Sequence, residues 1–377
     1  DLILRNYGWK KMKVSQKKTA TKYKILSFMF NHGITSKGEL ARELGFSMPT
    51  VLSSVKEMIE QGLIVDAGEM DSNGGRRARM LGVQKNYCYS IGVDITANHI
   101  GMVLMNLGGE ILKQERVREK FKPDMTYCSQ LAERIEHFYS EEVDASKILG
   151  VGISLPGIIN EKEQLLAKSH ALKLENYSLK MMEQFIPFPV YFENDANAAM
   201  MAENPGILDN VIYLSLNNTF GGAICINGEL YTGHYRKAAE FGHVILHPNG
   251  KTCYCGKQGC ADAYCAASVL TQNGKESLDV VMERVGKDKD TDVLWQEYLE
   301  NLAMLISNLR MVFDTDIILG GEVGAYLPDY MVELGERIFR HNLFDGDISY
   351  IRNCVCKREA SAVGVARHFF EEFIANV

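Results

Sequence analysis

The chain has 377 residues and a mass of 42.3 kDa, enough for two or three domains at ~150 residues each. With 46% hydrophobic and 24% charged residues, its composition is that of an ordinary globular protein and excludes a mostly disordered chain. No apolar run approaches the ~18 residues a spanning helix needs, and residues 1–13 mix charge through their apolar positions, so a membrane-spanning or secreted protein is not expected. Asp1 rather than Met opens the sequence, which points to residues upstream.

The net charge of −7 conceals an asymmetry, because residues 1–86 carry +7 and the rest −14. A basic head on an acidic body predicts a polyanionic partner for the head alone. Within the head, apolar positions Tyr23, Ile25, Leu26, Met29 and Phe30 recur at helical spacing, and His32-Gly33 stops the helix. Ser36 with Glu39 forms a capping box for a second helix through Leu44, which Gly45 ends. Ser47 caps a third helix with Pro49 in its first turn; Val51, Leu52, Val55, Met58 and Ile59 are its predicted buried face, up to Gly62. A strand over 63–65, strong turn chemistry at 71–75 and a return strand over 78–83 complete a winged helix-turn-helix pattern. The third helix is expected to present Ser47, Met48, Thr50, Ser53, Ser54 and Lys56 to DNA, with Arg76, Arg77 and Arg79 at the wing.

After the head, strands are predicted over 89–95, 99–105 and 110–117, then a helix over 126–140 and a strand over 148–154. The opening recurs at 211–216, 221–227 and 229–231, which implies two βββαβα lobes with a ligand cleft between them. Asn194 and Asp195 fall between a predicted strand, 189–192, and an Ala/Met-rich helix, 196–203, a usual ligand position in α/β folds. Nine cysteines are an odd count, and Cys253, Cys255 and Cys260 lie within eight residues. Cys-x-Cys-x4-Cys with glycines at 256 and 259 can aim three thiolates at one tetrahedral ion; this usage suits metal ligation in a reducing, cytoplasmic setting rather than a disulfide framework. Cys88, Cys128, Cys225, Cys265, Cys354 and Cys356 read as small buried apolar residues.

Gly92-Val93-Asp94-Ile95, the run 152–157, Glu193-Asn194-Asp195-Ala196-Asn197, Glu240-Phe241-Gly242-His243, the cysteine run 253–260 and Leu319-Gly320-Gly321 occur in this order along the chain. In them the sequence resembles the ROK family of repressors, open reading frames and sugar kinases. The resemblance implies an α/β chain in which a winged helix-turn-helix domain (1–86) precedes a two-lobed, actin/hexokinase-like (ribonuclease H-like) body. Lobe boundaries are expected at 87–200 and 201–377, with the zinc loop in the second lobe and the C-terminal helix returning to the first. It also implies His243 as the fourth ligand of a structural Zn2+, Asp195 at the position of the kinase general base, and Asn194, Glu240 and His243 as sugar contacts. Asp262, one methylene shorter than the family's glutamate, is a further expected sugar contact, and 169–172 lacks the asparagine common in kinases.

The family's kinases cradle ATP phosphates with Asp-x-Gly-Gly-Thr and Gly-Thr-Gly, where only glycine lets backbone amides approach closely. Here the corresponding loops read Asp94-Ile95-Thr96-Ala97-Asn98-His99 and Asn217-Asn218-Thr219-Phe220-Gly221-Gly222. The chain is therefore expected to be a sugar-responsive, DNA-binding regulator, by default a repressor, without catalytic residues. Its expected partners are operator DNA and a small sugar effector, without a membrane, as a homodimer or homotetramer. The competing reading is a ROK sugar kinase.

Overall fold

The computed structural model describes residues 14–69, 79–160 and 162–377. Its head begins with α1 (Val14–His32), which ends at Gly33 in left-handed backbone; β1 (Thr35–Ser36), α2 (Lys37–Leu44) and α3 (Met48–Glu60) follow. Ser36 and Ser47 cap α2 and α3 through their hydroxyls, and Gly45, also left-handed, ends α2, as the capping pattern predicts. β2 (Ile64–Glu69) and β3 (Arg79–Val83) form the wing hairpin, and β1 adds a third strand to β3 that the sequence pattern does not anticipate. The turn expected at 71–75 lies outside the described residues.

The body's first lobe runs β4 (Tyr89–Ile95), β5 (His99–Asn106), β6 (Ile111–Arg118), α4 (Met125–Ser140), β7 (Ile148–Leu155), β8 (Ile158–Asn160), β9 (Leu165–Ser169), β10 (Leu174–Ser178), α5 (Lys180–Glu183), β11 (Val190–Asn194) and α6 (Asp195–Glu203). The second runs β12 (Val211–Leu216), β13 (Phe220–Ile226), β14 (Glu229–Leu230), α7 (Asp262–Cys265), α8 (Ala267–Leu270), α9 (Leu278–Arg284), α10 (Lys289–Phe313), β15 (Asp316–Gly320), α11 (Gly321–Gly324), α12 (Met331–His341), β16 (Ile351–Asn353) and α13 (Ala360–Ala375). The two large sheets have one topology: β11-β7-β4-β5-β6 and β14-β13-β12-β15-β16. In each, the lobe's first strand is central, antiparallel to the second and parallel to the fourth. The repeat inferred from the sequence is thus a repeat of structure, and a small sheet, β10-β9-β8, is added to the first lobe.

The last helix does not stay with the lobe that precedes it. α13 packs on β4 and β7 of the first sheet and along α6. Glycine makes that approach possible: a β-carbon at Gly364 would fall on the Ala198 carbonyl oxygen, and one at Gly92 on that of Ala362. The head is seated on the same helix, with the Phe30 ring 5.7 Å from Phe370 and Tyr87 5.7 Å from Phe373. One apolar cluster therefore runs without a break from Ile25 and Leu40 in the head to Phe370 and Tyr213 in the body.

Two expectations are corrected. On α3 only Val51, Val55 and Met58 are buried among the predicted apolar positions; Leu52 and Ile59 are 45% and 43% exposed, and the inner face is completed by Ser54. Cys88, Cys128, Cys225 and Cys265 are buried as expected, whereas Cys354 and Cys356 are only partly buried, because the backbone amides of Val355 and Cys356 turn outward to donate to the Glu203 carboxylate at 2.7 and 2.8 Å.

Candidate functional site

Between the lobes lies a cavity of about 320 Å³ walled by the ends of β7 and β11, the start of α6, the β12–β13 turn and the segment 236–243. Asn194 ends β11 and caps α6: its amide oxygen accepts from Ala196 N at 2.9 Å and Asn197 N at 3.0 Å, and its Nδ2 donates to Gly157 O at 3.0 Å. Capping fixes the side chain that also lines the cavity, so the structural and binding roles coincide. Asp195 follows in the first turn of α6, where burial and the nearby carboxylates of Asp94 and Glu240 push its pKa up to about 7. Glu240, raised by burial, and His243 line the same cavity. Four expected sugar contacts, Asn194, Asp195, Glu240 and His243, are thus brought together from segments nearly 50 residues apart.

Asp262 is not. It is 5% exposed at the start of α7, and its Oδ1 accepts from Phe220 N at 2.6 Å, so its carboxylate fixes the β12–β13 turn from beneath instead of facing the cavity. Burial pushes it up to about 6. The shorter side chain ends on the backbone. In its place the cavity wall carries His170, Tyr254, Arg236 and Lys237, of which His170 and Tyr254 fall in segments singled out from the sequence. Tyr254 shares its run with the cysteines; its hydroxyl is 3.4 Å from His243 Nε2, and its ring meets His170 and His243 edge-on.

His243, Cys253, Cys255 and Cys260 converge so that one ligand atom from each lies within 4.8 Å of the others. Cys253 Sγ is 3.8 Å from His243 Nδ1, and Cys255 Sγ is 3.8 Å from Cys260 Sγ. That spacing matches the edge of a tetrahedron with arms of ~2.3 Å, the length of a zinc–thiolate bond, and is far too long for a disulfide at ~2.0 Å. Burial and the neighbouring His170 hold the His243 pKa low, which keeps the imidazole in the neutral form that ligates metals. With Nδ1 turned to the thiols and Nε2 to Tyr254, the histidine joins the knot to the cavity wall.

The loops at the positions of the family's phosphate cradle are 94–99 and 217–222, the second of which also walls the cavity. In the first, Thr96 Oγ1 accepts from Asn98 N at 3.4 Å and His99 N at 3.0 Å. In the second, Asn217 Oδ1 accepts from Glu322 N at 2.8 Å at the start of α11, and its Nδ2 donates to Ser215 Oγ at 3.0 Å. Side chains therefore take up amides in both loops, Thr96 in the first and Asp262, through Phe220 N, in the second, while Asn217 ties the second loop to α11. Arg116 on β6 reaches across to Glu322 at 3.8 Å and to the buried Glu359 at 3.6 Å, tying the two lobes together there.

On the head, Ser47 caps α3 and shares a 2.8 Å hydrogen bond with Thr50 Oγ1. Ser47, Met48, Thr50, Leu52, Ser53 and Lys56 are exposed, and Lys56 lies 3.8 Å from Glu60. Ser54, expected to face DNA, is 7% exposed and packs inward, because it is three residues from Val51 and four from Met58 on the buried stripe. Arg76 and Arg77 lie outside the described residues, while Arg79 opens β3 and faces Asp66 at 3.5 Å.

Comparison with known proteins matches residues 90–369 to the ROK family and residues 18–65 to the winged helix-turn-helix DNA-binding family. The chain is 31% identical over 256 residues to the xylose repressor of Bacillus subtilis, covering 66% of each protein. It is 25% identical over 373 residues to the xylose repressor of Caldicellulosiruptor bescii, covering 92% of this chain and 94% of that one. Among solved structures, a ROK family transcriptional regulator homologous to the Escherichia coli MLC protein superposes with a TM-score of 0.72 at 18% identity, over 96% of this chain and 98% of that one. The chain belongs to the ROK family and carries its body behind an N-terminal winged helix-turn-helix domain.

Proposed function

We infer that the chain is a sugar-responsive DNA-binding regulator, a repressor of carbohydrate-metabolism genes, and that it transfers no phosphate. The observation that carries this reading is the contrast within one cleft. Polar groups converge on an open cavity at Asn194, Asp195 and Glu240, while amides of both loops at the phosphate positions are held by side chains, His99 N by Thr96 and Phe220 N by Asp262. A sugar has hydroxyls to fit the first set; a triphosphate needs bare amides and the space those side chains fill. The relatives named as xylose repressors and the DNA-binding head support the same reading. Operator DNA meets the exposed face of α3 through Ser47, Thr50, Ser53 and Lys56, with Arg76 and Arg77 as wing contacts, and a homodimer or homotetramer would present two such faces to paired half-sites.

His243, Cys253, Cys255 and Cys260 would hold a zinc ion, which supplies a crosslink that fixes the 253–260 loop and, through His243 and Tyr254, the cavity wall. Four protein donors leave no position for an activated water, so its role is structural.

One observation favours the kinase reading: Asp195 is raised to about 7, a value suited to a general base. Both readings are tested together. Duplexes selected by the wild-type chain from a randomised library are titrated with D-xylose, D-glucose, N-acetyl-D-glucosamine and its 6-phosphate present or absent, and the same sugars are incubated with Mg-ATP. A sugar-dependent change in DNA affinity without sugar phosphate is the expected result; sugar phosphate formed at steady turnover establishes the kinase instead.

A further inference from the structure

The cleft and the DNA-binding head are linked by a short chain of side chains. Glu193, the penultimate residue of β11, is 5% exposed and works on both sides of its strand. Its Oε1 accepts from Asn194 N at 2.8 Å and Asn197 Nδ2 at 3.0 Å on the cleft side. Its Oε2 accepts from the Tyr191 hydroxyl at 2.8 Å on the other. The Tyr191 ring lies flat on His368 of α13, centroids 3.6 Å apart and planes 8° from parallel. The next residue back along α13, Arg367, donates from Nη2 to Asn31 Oδ1 of α1 at 2.8 Å and lies over the Phe30 ring at 4.4 Å.

Two features make this junction able to shift. Arg367 is a cation only 8% exposed, with its Nε buried and unpartnered; Glu371 of α13 supplies the counter-charge and the head supplies the Nη2 acceptor, Asn31. A cavity of about 580 Å³ opens beside it, between α1 and the body, and shares Glu193, Thr232 and Arg236 with the walls of the cleft. The head is thus docked on a helix beside empty space, over a partly satisfied charge, three side-chain contacts from the ligand cavity.

We propose that Tyr191 is the positioning residue that carries ligand occupancy to the DNA-binding head. A ligand engaging Asn194 and Asn197 re-aims Glu193, Glu193 turns the Tyr191 hydroxyl, and the Tyr191–His368 stack moves the α13 segment whose Arg367 holds Asn31 and Phe30. Occupancy of the cleft then sets the seat of α1 and, with it, the direction in which α3 points. The inference rests on the sugar-responsive reading and assigns its route.

The test uses the full-length chain and two variants, Tyr191→Phe, which keeps the stack and removes the hydroxyl, and Asn31→Ala, which removes the acceptor of Arg367. Affinity for the sugar that binds the wild type best is measured by calorimetry, and affinity for the selected duplex by anisotropy with and without that sugar; melting curves establish that each variant folds. A wild-type coupling of ~5–150-fold between sugar and DNA is the usual range. The expected result is that both variants keep sugar affinity and sugar-free DNA affinity within about twofold, while the coupling falls by about fivefold or more. Full coupling in both variants overturns the route and leaves the sensor intact. Loss of sugar affinity in Tyr191→Phe overturns it as well, by placing Tyr191 in the binding machinery. A wild type that binds sugar without any change on DNA removes the sensor reading and the route together. If Tyr191→Phe fails to fold, Asn31→Ala decides alone.

Discussion

The cleft between the lobes has two halves that began as parts of one design. Around Asn194, Asp195 and Glu240 it is open, and burial with mutual repulsion leaves Asp195 poised near neutrality. Around Thr96, Asn217 and Arg116 it is closed upon itself: Thr96 holds amides of its own loop, Asn217 holds Glu322 N of α11, and ion pairs bridge the lobes. On the proposed reading the difference separates recognition of carbohydrate, which depends on side chains at a helix start, from recognition of nucleotide, which depends on bare backbone.

The largest expected effect comes from removing the support of the open half. Cys255→Ser, or metal removal by a chelator, is expected to weaken sugar binding roughly 100-fold, since groups that orient a wall through a metal knot act at that level; metal content and calorimetry on the same samples check it. Next is Asp195→Asn, which removes a charged acceptor worth about 1.5–3 kcal/mol and is expected to lower sugar affinity at least ~10-fold at pH 8. Between these and the smallest effect stands pH. On the proposed reading a sugar hydroxyl donates to the ionised Asp195 carboxylate, whose pKa burial and the neighbouring Asp94 and Glu240 push up to about 7. Protons therefore compete with the sugar, so affinity rises from pH 6 toward pH 8 by up to ~10-fold per unit below the pKa and then levels. Asp195→Asn flattens that profile; a flat wild-type profile places the hydroxyl contact elsewhere. The smallest effect is that of Asn217→Gly, which exposes Glu322 N in the closed half. It is expected to cost about 1 kcal/mol of stability by thermal melting and to restore no Mg-ATP turnover, because Thr96 still fills the first loop. Turnover in that single variant breaks the contrast between the halves.

Much of this was legible before any coordinates. The strands of the first large sheet and the first three of the second were, because central strands such as 211–216 are largely apolar runs bounded by turns, and the head helices were, because caps such as Ser36 and Ser47 are local. The convergence of Cys253, Cys255 and Cys260 was legible from their spacing. What escaped are interactions set by distance along the chain. Asp262 looks like a ligand contact until Phe220, 42 residues away, claims its carboxylate. Ser54 looks like a DNA contact until the rotation of α3 is fixed by Val51, Val55 and Met58; a period of 3.6 residues leaves its neighbours Leu52 and Ile59 equally plausible inside. Tyr191 and His368 are 177 residues apart, and Arg367 and Asn31 336 apart, so nothing in either local pattern hints that they meet.

The return of α13 to the first lobe also has a bearing on how the protein is made. β4 and β7 emerge from the ribosome long before residues 360–375, and the glycines at 92 and 364 are shaped for a partner that arrives last. At ~5–20 residues per second, the interval between the end of α6 and the end of the chain is about 10–35 s. During that time the first lobe lacks one layer, and the three-helix head has no seat. A nascent chain that has not yet released residues 360–375 can thus expose a DNA-binding surface without its seat, and on the proposed reading control by ligand waits for α13 to dock.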